Sequence, residues 1–355
     1  MEDLSVLRRQ AESGDKKAQC QLGLSYEQAG NSADNIRNAI EWYKKSADQG
    51  WAAAQFYLGQ IFEKGREGIE KNLYTAFLYY KMAADQGLKE AEYAMFRFYY
   101  DGLGGAPLDR RKAVKYCIAA AEKGNSSAQY SLGMLFRYGI TLGNSILDKK
   151  PQYIIAPDDK TAVFWLEKAA DQGVARAMNV LANCYSEGKG VPKNLAKAYE
   201  LYKGAVRNGD KTAISNLARF YINGDVVEQD IDHGVRLLRE GAQSRDPGSI
   251  QSLIIAEKAG VSVGIPHNEI FRLLLEAAGK GHAGCMYEIA TCYETGWETA
   301  PHPVLAYQWM KKAADVGYFG AIRKMIEYCE KGIGTEKNPQ EAAKWRAAFE
   351  ARNGQ

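Results

Sequence analysis

A small residue returns along this chain at Ala18, Ala54, Ala91, Ala128, Ala177, Ala213, Ser249, Cys285 and Ala321, at steps of 36, 37, 37, 49, 36, 36, 36 and 36 residues. A fixed internal period constrains a fold strongly, because every copy must present the same apolar face to its neighbour and all copies then share one core. The chain of 355 residues would otherwise be divided into two or three globular domains. The period predicts one continuous solenoid over 1–355 instead.

Within each copy the apolar positions follow helical spacing. Four residues after the small marker stands Leu22, Leu58, Met95, Leu132, Leu181, Leu217, Leu253, Ile289 or Met325, and eight after it Tyr26, Phe62, Tyr99, Phe136, Tyr185, Tyr221 or Tyr293; these offsets share one helix face. Eleven after the marker comes glycine in eight copies, from Gly65 to Gly332, where a helix stops in a left-handed residue. A second stripe then begins with a small residue (Ala39, Ala76, Ala113, Ala162, Ala198, Ala306, Ala342) and carries a large one three later (Trp42, Tyr79, Tyr116, Trp165, Leu201, Trp309, Trp345). Small against large is expected to interlock the two helices. Short links such as SADQG at 46–50 and AADQG at 83–87 end the second helix on glycine and fold the next copy back antiparallel.

The expected fold is therefore all-α: about nine helix-turn-helix copies and nineteen helices. Residues 1–17 form an N-terminal capping helix, 18–320 hold eight repeats, and 321–355 form a C-terminal capping repeat. Asp158 and Asp159 read as the N-cap and first turn of a helix ending near Asp171.

These residues resemble the Sel-one-like repeat family, relatives of tetratricopeptide repeats, over about 3–350. The stretches Ala54 to Gly87 (AQFYLGQIFEKG, then AFLYYKMAADQG) and Ala177 to Gly209 carry the pattern most fully. The resemblance implies a right-handed superhelix of α-hairpins that serves as a protein-binding scaffold or adaptor.

The departures from the pattern are informative. Where Gly23, Gly59 and Gly133 follow the leucine, other copies have Phe96, Ala182, Ala218, Ile254, Ala290 and Ile326; Phe96, Ile254 and Ile326 need extra room, so repacking or changed curvature is expected there. Copy seven also has Glu257 where tyrosine is expected, and copy six ends in Ser-Arg-Asp-Pro instead of Asp-Gln-Gly. Repeat drift and a bend or interface around 244–264 are both open. Copy four carries an insertion over 139–157, GITLGNSILDKKPQYIIAP, too apolar for a disordered linker. Two short extended runs around Asn144 to Gln152 are expected to form a hairpin-like flap, with partner binding and simple cover of the neighbouring copy both open.

First helices line the concave wall of such solenoids. By analogy with tetratricopeptide repeats, the inward positions place Phe56, Gln60, Tyr93, Arg97, Tyr100, Tyr130, Met134, Arg137 and Tyr138 on one wall, with Tyr153 added from the insertion. Tyrosine and arginine combine contact area with directional donors, which suits a partner interface. Packing between hairpins is the other reading of the aromatic positions.

Little points to chemistry. His233, His267, His282 and His302 fall in turns or helix starts, away from metal-ligand spacing. The glycine pairs at Gly188 and Gly190 and over Gly102 to Gly105 close helices instead of opening them after a strand. The six cysteines are expected to be reduced and buried. A net charge of +3 supplies no basic groove for RNA; the basic run from Asp109 to Lys115 is expected to be a solvated outer face. No stretch of the sequence has the length of a membrane span, and the N-terminus lacks a signal-peptide core.

The expected protein is thus a monomeric, cytoplasmic, non-catalytic module without cofactor or metal, binding a protein or peptide and no nucleic acid. An inhibitor that tightly neutralises a cognate bacterial toxin, as an immunity protein does, is the alternative; a hydrolase or RNA-binding repeat protein fits less well.

Overall fold

The structure, a computed structural model, describes residues 4–30, 32–142 and 152–353. They contain nineteen α-helices and one two-stranded ladder, in two compact units, Met1–Lys193 and Asn194–Gln355.

In the first unit α1 (Leu4–Glu12) precedes the hairpins α2 (Lys16–Gln28) with α3 (Ala33–Asp48), α4 (Ala52–Lys64) with α5 (Leu73–Asp85), and α6 (Lys89–Asp101) with α7 (Arg110–Glu122). Next come α8 (Ser126–Tyr138), β1 (Ile140–Thr141), β2 (Tyr153–Ile155), α9 (Asp159–Asp171) and α10 (Ala175–Glu187). The second unit holds α11 (Leu195–Arg207), α12 (Ala213–Asn223) with α13 (Ile231–Gln243), α14 (Pro247–Lys258) with α15 (His267–Gly279), α16 (Ala283–Thr295) with α17 (Pro303–Asp315), and α18 (Phe319–Lys331) with α19 (Pro339–Asn353).

Helix boundaries follow local chemistry. Asn72, Asp109, Asn125, Asp158, Asn194 and Asp230 accept hydrogen bonds from first-turn backbone N–H groups, satisfying donors that the helix leaves unpaired. His282 and His302 do the same through Nδ1, which accounts for two of the four scattered histidines. Links between copies close by a paired motif in which, for example, Gly173 N donates to Ala170 O at 2.8 Å and Val174 N to Ala169 O at 3.1 Å. The turning residue has positive φ at Gly14, Gly50, Gly87, Gly124, Gly173, Gly209, Gly281 and Gly317, and at Arg245.

A helix of 13 residues, about 20 Å long, is marginal alone; its stability comes from packing. The second-helix residue that fills each hairpin stands four after the small residue, not three. Tyr43, Tyr80, Cys117, Leu166, Leu238 and Met310 are essentially inaccessible, whereas Trp42, Tyr79, Tyr116, Trp165 and Trp309 are half-buried. Four residues along a helix returns to the same face, so Tyr43 and Tyr80 meet the first helix at Gly23 and Gly59, where a Cβ would lie 2.8 and 2.6 Å from their rings. The residues three after sit at the hairpin's edge. There Tyr79 stacks on Phe62 at 6.0 Å and Tyr116 on Tyr99 at 5.8 Å.

The glutamine of the Asp-Gln-Gly links is also explained. Gln49, Gln86 and Gln172 donate to Gln19, Gln55 and Gln129 at 2.8, 2.7 and 2.6 Å, and these buried partners donate in turn to carbonyls of the preceding helix, such as Ala11 and Ala47. In copy three both positions change together: Lys123 Nζ meets Glu92 Oε1 at 2.6 Å.

The base of the insertion in copy four is a short two-stranded ladder. Ile140 pairs with Ile155 and Thr141 with Tyr153, antiparallel. Both isoleucines are buried in the cluster that includes α7 residues Val114 and Cys117, and Arg110 Nη1 donates to Thr141 O at 3.0 Å. The extended runs expected around Asn144 to Gln152 fall almost wholly on residues 143–151, outside the described residues; the ladder that is described lies just beyond them, with its isoleucines turned to the core. The base thus covers the preceding copy's second helix, and Arg110 of the supposed solvated face is tied to it.

In copy seven α14 packs directly on both α12 and α16. Ile254, in the place of a glycine, is fully buried together with Leu274 and Val263. This is the repacking the bulky substitution requires.

Candidate functional site

Helices α4 and α6 run side by side as the first helices of copies two and three, and their equivalent faces bound a cavity of about 370 Å³. Phe56, Gln60, Glu63 and Lys64 come from α4, Glu90, Tyr93 and Arg97 from α6, and Tyr80 from the floor. The 37-residue step between Ala54 and Ala91 brings the two faces into register. Phe56 lies on Tyr80 with centroids 5.6 Å apart, and Tyr93 touches Phe96 at 5.8 Å while its hydroxyl meets Ser131 Oγ at 3.3 Å.

The polar centre is Glu63. It faces Arg97 with both oxygens, at 2.8 and 2.9 Å, and accepts from Tyr80 Oη at 2.6 Å. Burial alone would raise the Glu63 carboxyl, but hydrogen bonds from Arg97 and Tyr80 and the arginine charge outweigh it and hold the group below its ordinary range. Burial and the Glu63 carboxylate push the Tyr80 hydroxyl up. Burial opposes the Arg97 charge, yet its pairing with Glu63 raises its pKa. Copy one repeats the theme, with Glu27 accepting from Tyr43 at 3.1 Å and from Arg66 at 3.0 Å. Tyrosine closes the hairpin and arginine joins it to the next. Such a groove offers aromatic area and a fixed set of donors and acceptors, which is binding chemistry.

Four of the ten residues expected to contact a partner, Phe56, Gln60, Tyr93 and Arg97, are brought together here. Tyr100 is exposed on α6 and packs on Phe96 at 5.4 Å. Tyr130 and Met134 are half-buried on α8. Arg137 turns to α10, donating to Cys184 Sγ at 2.6 Å and approaching Glu187 at 3.9 Å. Tyr138 and Tyr153 are exposed, Tyr153 with its ring against Gly139. Glu63 and Tyr80, which fix the groove, were not among the ten. Their signal was the recurrence of glutamate nine after the marker and tyrosine four after the second-helix alanine.

The six cysteines are buried and unbridged. Burial pushes Cys20 and Cys292 up to about 11 and Cys117 and Cys285 up to about 12, disfavouring the nucleophilic thiolate. Among the described residues no group of three His, Cys, Asp or Glu side chains is placed to hold a metal ion. No helix among them is long and apolar enough to cross a membrane.

Helical hairpins repeated with a conserved internal register, grooved between their first helices, define an α-helical repeat protein. The chain belongs to the Sel1 repeat family, whose pattern matches residues 16–51, 52–88, 89–125, 126–147, 150–174, 175–210, 212–246, 283–318 and 327–345. The break at 147–150 falls in the insertion, and copy seven, 247–282, is left uncovered. A solved protective antigen present in uropathogenic Escherichia coli strains, displaying an SLR fold, is 26% identical with a TM-score of 0.64, covering 98% of this chain and 79% of its own. An Arabidopsis thaliana F-box protein is 38% identical over 63 residues, 18% of this chain. Chitin synthase regulatory factor 3 of Schizosaccharomyces pombe is 33% identical over 134 residues, 36% of this chain. The matched regions span only 17% and 14% of those two relatives.

Proposed function

We propose that the chain is a protein-interaction module that receives a segment of a partner protein in the groove between α4 and α6. The observation that carries this reading is the convergence of Phe56, Gln60, Tyr93 and Arg97 from two successive copies on one cavity of about 370 Å³. Aromatic and arginine side chains dominate interface energetics, and the Glu63 to Arg97 pair holds the guanidinium in place before any partner arrives. A scaffold or adaptor role follows. Affinity capture from the source cell with wild type and with the Gln60→Ala/Tyr93→Ala double variant tests it. Loss of captured proteins from the variant is the expected result; an unchanged set rejects the groove. Dissociation rates of the captured partner then separate an adaptor, which exchanges partners, from a dedicated inhibitor such as an immunity protein, which releases one partner very slowly.

A further inference from the structure

Copy seven departs from its neighbours at its entrance as well as in its helices. Eight links turn on a glycine at positive φ, and the link into copy seven turns on Arg245 at φ 61°. The motif is otherwise the same, with Arg245 N donating to Ala242 O and Asp246 N to Gly241 O, both at 2.9 Å. A side chain in this conformation is costly, and such strain concentrates where a side chain has a task. Arg245 extends to α15, where Nη1 meets Glu276 Oε2 at 2.7 Å, and it forms one wall of a cleft of about 480 Å³ between α13 and α15.

Two further arginines line this cleft, Arg239 and Arg272. Arg272 pairs loosely with Glu269 at 3.4 Å on the same helix. Arg239 is half-buried and donates from Nε to the Val263 carbonyl, and among the described residues no carboxylate pairs with it. Gly264 makes room for it: a Cβ there would run into the Arg239 guanidinium. Three cations therefore face two acids, Glu269 and Glu276, and the most enclosed cation is without a counter-charge. A guanidinium held in this way favours a planar anion that accepts two hydrogen bonds. The floor between the arginines is apolar, from Ala242 and Leu273.

We propose that this cleft, distinct from the groove of copies two and three, binds a carboxylate-bearing peptide segment of a partner. Arg239 receives the carboxylate, Arg245 and Arg272 flank it, and an adjacent aliphatic side chain rests on Ala242 and Leu273. The cavity is too large for a small inorganic ion alone, and Glu269 in its wall together with Glu276 beside Arg245 opposes a continuous phosphate chain.

Fluorescence anisotropy with a fluorescein-labelled Glu-Leu-Glu-Leu-Glu peptide and its Gln-Leu-Gln-Leu-Gln counterpart tests the site on the full chain. The acidic peptide is expected to bind about tenfold or more tightly than the amide peptide, and Arg239→Gln and Arg245→Gly each to weaken it by about tenfold, the scale of a lost charge-assisted pair. Arg245→Gly restores the residue used by the other links, so its loss of binding is not a loss of fold. Arg111→Gln, at an exposed position of α7, is expected to change nothing. Equal binding of the two peptides, or equal weakening by Arg111→Gln and Arg239→Gln, overturns the proposal. So does displacement of the acidic peptide by a thymidine decanucleotide at lower concentration than by unlabelled acidic peptide.

Discussion

Gly59 and Tyr80 share one space: a Cβ on Gly59 would stand 2.6 Å from Cδ1 and Cε1 of the Tyr80 ring, so α4 rests on α5 only because that atom is absent. Copy six solves the same problem with Ala218 and Leu238, both buried in one cluster. Gly59→Ala is therefore expected to destabilise the protein by about 1–3 kcal/mol through overpacking, despite the roughly 1 kcal/mol that alanine gains over glycine in a helix. Adding Tyr80→Leu should make the double variant lose about 1 kcal/mol less than the sum of the single losses. Urea unfolding of the four proteins measures the coupling, and strict additivity would show that the two residues do not compete.

Glu63 joins copy two to copy three by accepting from both Tyr80 and Arg97. Glu63→Gln leaves the arginine charge without its partner and is expected to cost about 1.5–3 kcal/mol at neutral pH, the range for hydrogen bonds to charged groups. The folded carboxyl titrates below its ordinary value of 4.5. Its contribution is then fully present above pH 4.5 and is lost as pH falls through the lowered folded value. The gap in thermal midpoint between wild type and variant should narrow on acidification; a constant gap would contradict the ion-pair account.

Much of this was legible because the repeat is an average over nine copies. Helix number, the caps at Asp158 and the glycine stops all follow from local rules that each copy restates. What was not legible depends on a neighbour. Arg97 stands six and Arg137 nine residues after the marker, offsets that share one helix face, yet Arg97 finds Glu63 on the preceding first helix while Arg137 finds Cys184 and Glu187 on the following one. The offset specifies a face, and the side chain across the gap decides the direction. The buried residue four after the second-helix alanine was missed for a similar reason, since the tryptophans and tyrosines three after are larger and attract attention while sitting at the edge. Arg245 was visible as a break in the link, but the residues that surround its side chain lie up to 31 positions away.

His267 opens α15 and bridges two acids, with Nε2 2.9 Å from Glu257 and Nδ1 3.0 Å from Glu298. Its ring lies on Trp297 at 5.0 Å. Hydrogen bonds to Glu257 and then to Glu298 raise the imidazole above 6.5, and the bond from Val263 N, followed by that from His267, lowers Glu257 below 4.5. A raised histidine stabilises fully below its unfolded value and loses that contribution as pH climbs through the folded one; a lowered glutamate contributes above 4.5 and loses it on acidification. The bridge between copies seven and eight is therefore strongest between about pH 4.5 and 6.5, bounded by the ordinary values of the two groups. His267→Gln should lower the thermal midpoint more at pH 5.5 than at pH 8.5, and the reverse order would remove the bridge from the account.

Arg245 at φ 61° sets strain against a surface ion pair. Holding a residue with a side chain in the left-handed region costs about 1–2 kcal/mol relative to glycine, while its pair with Glu276, with side chains 48% and 36% exposed, is of the kind that contributes about 0–1 kcal/mol and weakens in salt. Arg245→Gly should consequently leave the unfolding midpoint unchanged or raise it, and the gain should be larger at high ionic strength, where the lost ion pair matters less. A clear drop in the midpoint at high salt would mean that Arg245 stabilises this link through its packing.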